Sequence, residues 1–340
     1  MRAFACPRCG QLVFFENDQC LRCHAALGYD SELGTMVLVG PDHETRRCGN
    51  RKLANCNWLL PEPAGAGTLC TSCRLTRTRP SDADFTDDPK VAARFVRAEA
   101  AKRRLVFQLL ELELLKNPVD KPLAFDFLVR KARPITIGHA EGVITLDLAE
   151  SDDAYRERMR AELDEPYRTM LGHLRHEVGH YFWEVLVEPN AGVQEQFRSL
   201  FGDERADYQD ALRRHYNDGP PPVWANDHVS AYAAAHPWED WAETWAHYLH
   251  IRDTLQTAAS YGVIVTGPKS ETGLFDPKLE PYLMAAPRDD ADSADDIAGE
   301  WLPLIYALNA INRSMGKEDL YPFVLCPRVI EKLRFVDAQI

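Results

Sequence analysis

The chain has 340 residues, 45% hydrophobic and 27% charged, a globular composition that excludes disordered, collagen-like and coiled-coil classes. Its net charge of −13 gives no general attraction to nucleic acid or to an anionic membrane. The charge is uneven: residues 1–80 hold 10 Lys/Arg against 7 Asp/Glu, or +3, which leaves −16 for residues 81–340.

Eight of the nine cysteines fall before residue 74. Cys6-Pro-Arg-Cys9 and Cys20-Leu-Arg-Cys23 are two Cys-x-x-Cys hooks. Each hook brings two thiolates to one ion, and two hooks complete the closed tetrahedral sulfur shell of structural zinc. Gly10 suits the tight turn after the first hook, and Gln11 to Phe15 reads as the strand leaving it. Cys48, Cys56, Cys70 and Cys73 form a looser second quartet with one hook, Cys70-Thr-Ser-Cys73. Four cysteines among Arg, Gly and Asn are poor core residues, so a second structural zinc is expected. His24 and His43 are spare donors that a four-cysteine shell does not need. Disulfides are not expected, because no apolar stretch of signal-peptide length precedes Cys6 and cytosolic thiols stay reduced. Cys326, far along the chain in Phe-Val-Leu-Cys, reads as core.

Arg79 to Pro89 is polar and bounded by proline, a linker composition. Residues 90–116 show helical spacing of Phe95, Leu105, Leu109, Leu112 and Leu115. Residues 133–138 and 142–148 predict two strands joined by a short turn, with Ile144, Leu146 and Leu148 on one face. Helices are predicted at 154–163 and at 166–187, the latter starting at Pro166. A loop follows around Asp218-Gly-Pro-Pro-Pro222, and another helix begins at Pro237. Residues 286–298 are Asp-rich and read as a solvated loop, before helices at 299–314 and 328–338. The expected fold class is α+β: a zinc-ribbon domain over 1–78 with two four-cysteine sites, a linker over 79–89, and a mainly helical domain with a small sheet over 90–340.

His176-Glu177-Val178-Gly179-His180 is the sharpest local signal. Residues four apart on a helix share a face, so both imidazoles can meet one ion, and Glu177 beside them can hold and deprotonate a water. Leu171, Leu174, Val178, Phe182 and Leu186 make this helix core-packed, and a buried face with two histidines needs partners. A catalytic zinc requires a third protein ligand and one open position. Trp183 and Leu186 stand where a metzincin would need Gly and His. In the helix from Pro237, Trp238, Trp241, Ala242, Trp245 and Leu249 form an apolar stripe, leaving Glu239, Glu243 and His247 in a neighbouring row. Glu239 is the favoured third ligand; Glu243, His247 and Asp240 are the alternatives. Glu243, one turn beyond Glu239, is suited to accept the free N–H of a ligand histidine. His173, Arg168 and Arg175 flank the motif in supporting positions.

His-Glu-Val-Gly-His followed by Glu239-Asp-Trp-Ala-Glu243 resembles the gluzincin pattern, and Tyr232, seven residues before Glu239, adds a likeness to lethal-factor-like peptidases. More broadly, the chain resembles bacterial zinc-binding metallopeptidases with an N-terminal zinc ribbon. The shared segments are the Cys-rich head, Cys56-Asn-Trp-Leu, Gly138-His-Ala-Glu-Gly-Val-Ile-Thr-Leu146, Glu165-Pro-Tyr-Arg168, Leu171-Gly-His-Leu-Arg-His-Glu177 and the helix at Glu239.

The resemblance implies a zincin-like fold for the large domain and a zinc endopeptidase acting on peptide or protein substrates; the lack of a signal-like or membrane-spanning apolar stretch makes a cytoplasmic location the expectation. In the implied mechanism His176, His180 and Glu239 hold zinc, which activates a water. Glu177 acts as general base and then proton donor to the leaving amine, and Tyr232 donates to the oxyanion. The strand at 142–148 offers an edge for an extended substrate. The ribbon's small positive excess disfavours nucleic acid and favours a protein partner or a capping role. The alternative is a non-catalytic zinc-ribbon factor, binding protein or nucleic acid, in which the site at His176 and His180 is structural; that reading has no use for Glu177.

Overall fold

A computed structural model describes residues 2–40, 45–115, 122–130, 135, 137–152, 169–265 and 295–340. The architecture is α+β, and the chain forms two compact units, Met1–Tyr181 and Phe182–Ile340. Among the described residues no helix is long and apolar enough to cross a membrane.

The first unit opens with two short antiparallel hairpins. β1 (Phe4–Ala5) pairs with β2 (Leu12–Val13), and β3 (Leu27–Asp30) pairs with β4 (Thr35–Leu38). Gly10 at φ +71° permits the turn between β1 and β2. Strands this short bury little on their own, so aromatic packing and the cysteine clusters hold them. Phe15 and Tyr29 meet edge to face at 4.9 Å between centroids, Tyr29 and Trp58 lie at 4.9 Å, and Phe107 closes on Phe15 at 5.1 Å.

The segment expected as a linker contains α1 (Asp82–Asp87), started by a capping box between Ser81 and Asp84. α2 (Pro89–Glu111) follows, with Asp88 as N-cap and proline in its first turn, and it carries Phe107. It stops short of residue 116: Glu113 takes φ +60° and turns the chain. Two fully buried charges on α2, Glu99 and Lys102, pair at 2.9 Å, and Thr76 Oγ1 donates to Glu99 Oε1 at 2.5 Å.

β5 (Thr76–Thr78), β6 (Ala124–Leu128), β7 (Gly138–Ala140) and β8 (Val143–Asp147) form one sheet in the order β5-β6-β8-β7. β5–β6 and β6–β8 are parallel, and β7–β8 is an antiparallel hairpin. Glu141 and Gly142 both have positive φ, as a two-residue hairpin turn demands. Ile144, Leu146 and Leu148 share the buried face as their alternation predicts. β8 is flanked on both sides, so it cannot take the substrate-pairing role expected for residues 142–148; among the described residues β7 is the outermost strand. A short turn, Leu148–Ser151, leaves β8, and α3 (Met170–Phe182) carries the His-Glu-x-x-His pattern. Half of the strand expected over 133–138, and all of the helix over 154–163 and the start at Pro166, lie outside the described residues.

The second unit begins as α3 passes into a π-helical turn, Trp183–Val187. α4 (Ala191–Phe201) and α5 (Tyr208–Asp218) follow, capped by the side chains of Asn190 and Asp207. α6 (Pro237–Ser260) begins at the expected proline, and α7 (Asp295–Ser314) and α8 (Pro327–Asp337) complete the unit. The helix expected from 299 thus starts at Asp295, and the rest of the Asp-rich segment lies outside the described residues. Phe182 stacks on Trp245 at 5.0 Å, and Phe197 on Phe201 at 4.8 Å. Cys326 is half-buried rather than core: it is the N-cap of α8, and its Sγ donates to the Asn226 carbonyl at 3.0 Å.

Candidate metal centres

The sulfurs of Cys6, Cys9, Cys20 and Cys23 lie within 4.8 Å of one another, as do those of Cys48, Cys56, Cys70 and Cys73. Sulfur–sulfur distances of 3.6 Å (Cys6–Cys23), 3.7 Å (Cys9–Cys20) and 3.7 Å (Cys56–Cys70) match the edge of a tetrahedron. A Zn–S bond of about 2.3 Å gives an edge of about 3.8 Å. The donor sets therefore fit zinc. The Cys70 amide donates to Cys48 Sγ at 3.4 Å and the Cys73 amide to Cys70 Sγ at 3.5 Å, partly neutralising sulfur charge.

Hydrogen bonds from Cys56, Cys70 and Cys73 hold the Cys48 thiol well below its usual range, while the bonds to Cys48 push Cys56, Cys70 and Cys73 up. Four packed sulfurs ionise together only around a cation. Seven residues separate Cys48 from Cys56, and they form a compact loop. Gly49 sits so close to the Gly67 backbone that a Cβ would lie 2.5 Å from its carbonyl oxygen. Asn55 enters Cys56 with φ +48°, and the Asn57 amide donates to the Phe15 carbonyl at 2.7 Å, tying this loop to the first hairpin. His24 is exposed on the surface, and His43 lies outside the described residues.

In the first unit, α3 places the rings of His176 and His180 at 4.9 Å between centroids, as the spacing of four residues predicts. Leu174 and Val178 anchor the helix in the core, and Glu177 and His180 are buried with them. Glu177 Oε1 bonds His173 Nε2 at 3.0 Å, and His173 Nδ1 bonds Glu150 Oε2 at 2.5 Å. Burial pushes the His173 imidazole down, but the charges and bonds of Glu150 and Glu177 outweigh it and raise the group to about 10. Burial likewise raises Glu177, while the His173 bond and the charges of His173, His176 and His180 bring it down to about 2. A Cβ on Gly138, at the start of β7, would stand 3.8 Å from Glu177 Oε2, so that oxygen lies beside the Gly138 backbone. Arg175 Nε donates to Gln108 on α2 at 3.2 Å, and Arg168 lies outside the described residues.

In the second unit, α6 is launched by His236: its Nδ1 accepts from the Trp238 amide at 3.1 Å and its Nε2 bonds the Ala206 carbonyl at 3.1 Å. Glu239 and Asp240 follow in the first turn, where the helix dipole favours carboxylates, and both are buried. The Tyr208 hydroxyl donates to Glu239 Oε1 at 2.5 Å. Asp240 accepts from Lys332 Nζ at 2.6 Å, although burial raises its carboxyl to about 7. His247 Nδ1 bonds Tyr321 Oη at 2.7 Å, and Ser230 Oγ donates to Glu243 at 2.7 Å. Asp240 and His247 thus have structural partners of their own. Tyr232 lies in the turn Tyr232–Ala235 that leads into α6, its ring edge-on to His215 at 5.7 Å.

Two participants escaped the sequence reading. Tyr208 stands 31 residues before Glu239 with no motif to mark it, and Glu150 follows a strand with no spacing relation to His173.

Residues 91–339 match a family described as "Putative zinc-binding metallo-peptidase". The chain belongs to this family. Residues 3–84 match a zinc-ribbon domain, which takes in both cysteine quartets. Proteins of Mycobacterium bovis and of two strains of Mycobacterium tuberculosis, each described as uncharacterized, are 48% identical over 99% of this chain and 94% of their own length. No solved structure matches the chain. His176, Glu177, His180 and Glu239 all fall within the bounds of the metallopeptidase match.

Proposed function

We propose that this metallopeptidase-family chain is a zinc endopeptidase of the gluzincin type, in which His176, His180 and Glu239 hold one zinc ion and Glu177 is the general base. The observation that carries the reading is the arrangement on α3: two imidazoles on one face with a buried, bonded carboxylate between them. A structural ion has no use for that carboxylate. Glu239 is preferred as third ligand because Asp240 is held by Lys332, His247 by Tyr321 and Glu243 by Ser230, whereas a tyrosine hydroxyl orients Glu239 in the way ligand carboxylates are oriented.

A bound zinc ion supplies Lewis acidity, which acidifies water and polarises a carbonyl. Glu177 takes the proton of the attacking water and passes it to the leaving amine. Tyr232 is proposed as donor to the developing oxyanion. β7, the outermost strand of its sheet among the described residues, is proposed to offer main-chain pairing to an extended peptide. The two cysteine quartets each hold a structural zinc. The ribbon exposes Leu12, Phe14 and Leu21, the last at 83%, which favours a protein contact there over nucleic acid. Eight cysteines set as reduced ligands favour a reducing compartment such as the cytoplasm.

The test is Glu177→Gln in the full chain, assayed for zinc content and for cleavage of fluorescein-labelled casein. The variant keeps its zinc and loses cleavage. Turnover retained in that variant removes Glu177 as the base.

A further inference from the structure

Glu177 is one of two carboxylates that meet the same imidazole, and the ring between them is not used by the mechanism above. His173 lies one turn before Glu177 on α3, so the two share a face. Its Nε2 is 3.0 Å from Glu177 Oε1 and its Nδ1 is 2.5 Å from Glu150 Oε2. Carboxylates accept only, so both bonds form when both ring nitrogens carry protons.

The far end of this chain is anchored. Glu150 is buried in the turn Leu148–Ser151 that leaves β8. Ser151 Oγ donates to the Leu148 and Arg94 carbonyls, Arg97 donates to the Ser151 carbonyl at 2.7 Å, and Arg94 pairs with Asp152. That turn is therefore fixed to both the sheet and α2. A glutamate side chain on a helix otherwise samples several rotamers, and an ordered one is costly unless a partner holds it. With Oε1 held by His173, Oε2 is the oxygen left beside the Gly138 backbone.

We infer that His173 is the positioning residue for the general base: bonded at both nitrogens, it transmits the fixed position of Glu150 to Glu177 and selects Oε2 as the oxygen that meets the reacting water. The inference rests on the peptidase reading of the site. His173 keeps both protons throughout and no bond to it is made or broken. Its contribution is preorganisation, which acts on turnover rather than on binding.

The experiment compares full-length, zinc-loaded wild type with His173→Ala, His173→Gln and Glu150→Gln, measuring zinc content and kcat and KM on labelled casein. Proton NMR of the imidazole N–H region is recorded alongside. His173→Ala lowers kcat by about 100-fold with KM and zinc content unchanged, a loss of the size seen for partners of catalytic groups. His173→Gln, whose amide can donate to Glu177 but cannot also bridge to Glu150, recovers about tenfold of that loss, and Glu150→Gln falls between it and wild type. The wild type shows two hydrogen-bonded imidazole N–H signals that are absent from His173→Gln. An active wild type with unaltered kcat in both His173 variants, loss of zinc in both, or absence of the two signals overturns the inference alone. A wild type as inert toward casein as Glu177→Gln removes the peptidase reading, and this inference with it.

Discussion

The Tyr208 hydroxyl donates to Oε1 of Glu239 at 2.5 Å, joining the first residue of α5 to the first turn of α6. Tyr208 in turn packs edge-on against His236 and Trp238, at 5.3 and 5.9 Å between centroids, so the donor is itself held. Tyr208→Phe keeps that packing and removes the hydrogen bond alone. The expected result is a zinc affinity at the histidine site weaker by about 10–100-fold, with both cysteine sites unaffected. Chelator competition, following release of the most weakly held zinc, measures it; unchanged release would mean that Glu239 is not a ligand.

Gly49 follows a predicted ligand, Cys48, and a methyl group there meets the Gly67 carbonyl at 2.5 Å. The obstacle is backbone, so it cannot rotate away, and the Gly49 amide is bonded to the Thr68 carbonyl at 2.8 Å. Gly49→Ala should cost about 1–3 kcal/mol, the usual penalty of overpacking. Its zinc content should fall specifically at Cys48, Cys56, Cys70 and Cys73. Native mass spectrometry that shows all sites equally filled in the variant would contradict this.

Glu99 and Lys102 form a fully buried ion pair beside Thr76, with the Lys102 ammonium over the rings of Phe125 and Phe127 at 5.8 and 5.7 Å. Lys102→Met strands a carboxylate in the core and should cost about 3–5 kcal/mol in urea unfolding. Glu99→Leu added to Lys102→Met should recover most of that, because replacing both members removes the stranded charge. A double variant no more stable than the single one would show that the pair holds the fold in some other way.

His173 supplies the pH dependence. Its imidazole, facing Glu150 from the turn after β8 and Glu177 from its own helix, is raised to about 10 from an ordinary value near 6.5. A raised group contributes stability that is complete below about pH 6.5 and is lost as pH rises toward about 10. The thermal midpoint of wild type minus that of His173→Gln should therefore be greatest at about pH 6 and shrink through about pH 10. A difference that widens toward alkaline pH would reverse the sign and remove the two-carboxylate clamp.

Much of this protein was legible in one dimension because its chemistry is local. Two Cys-x-x-Cys hooks, a Cys70-to-Cys73 hook and two histidines four apart on a helix are short-range patterns, and the structure places the eight sulfurs in two clusters and the two imidazoles on one face of α3. The same holds for α6, whose start at Pro237 follows from the fixed φ of proline, and for Ile144, Leu146 and Leu148, whose alternation follows from the strand period. What the sequence by itself determined was therefore the α+β class, the cysteine clusters and the residue types on α3 and α6. Only the tertiary structure decided that β8 is interior and β7 outermost among the described residues, that Asp240 belongs to Lys332 and Glu239 to Tyr208, and that Glu150 reaches Glu177 through His173. Those pairings span many residues and depend on how sheets and helices are stacked, and a hydrogen bond formed only after stacking leaves no periodicity in the chain that makes it.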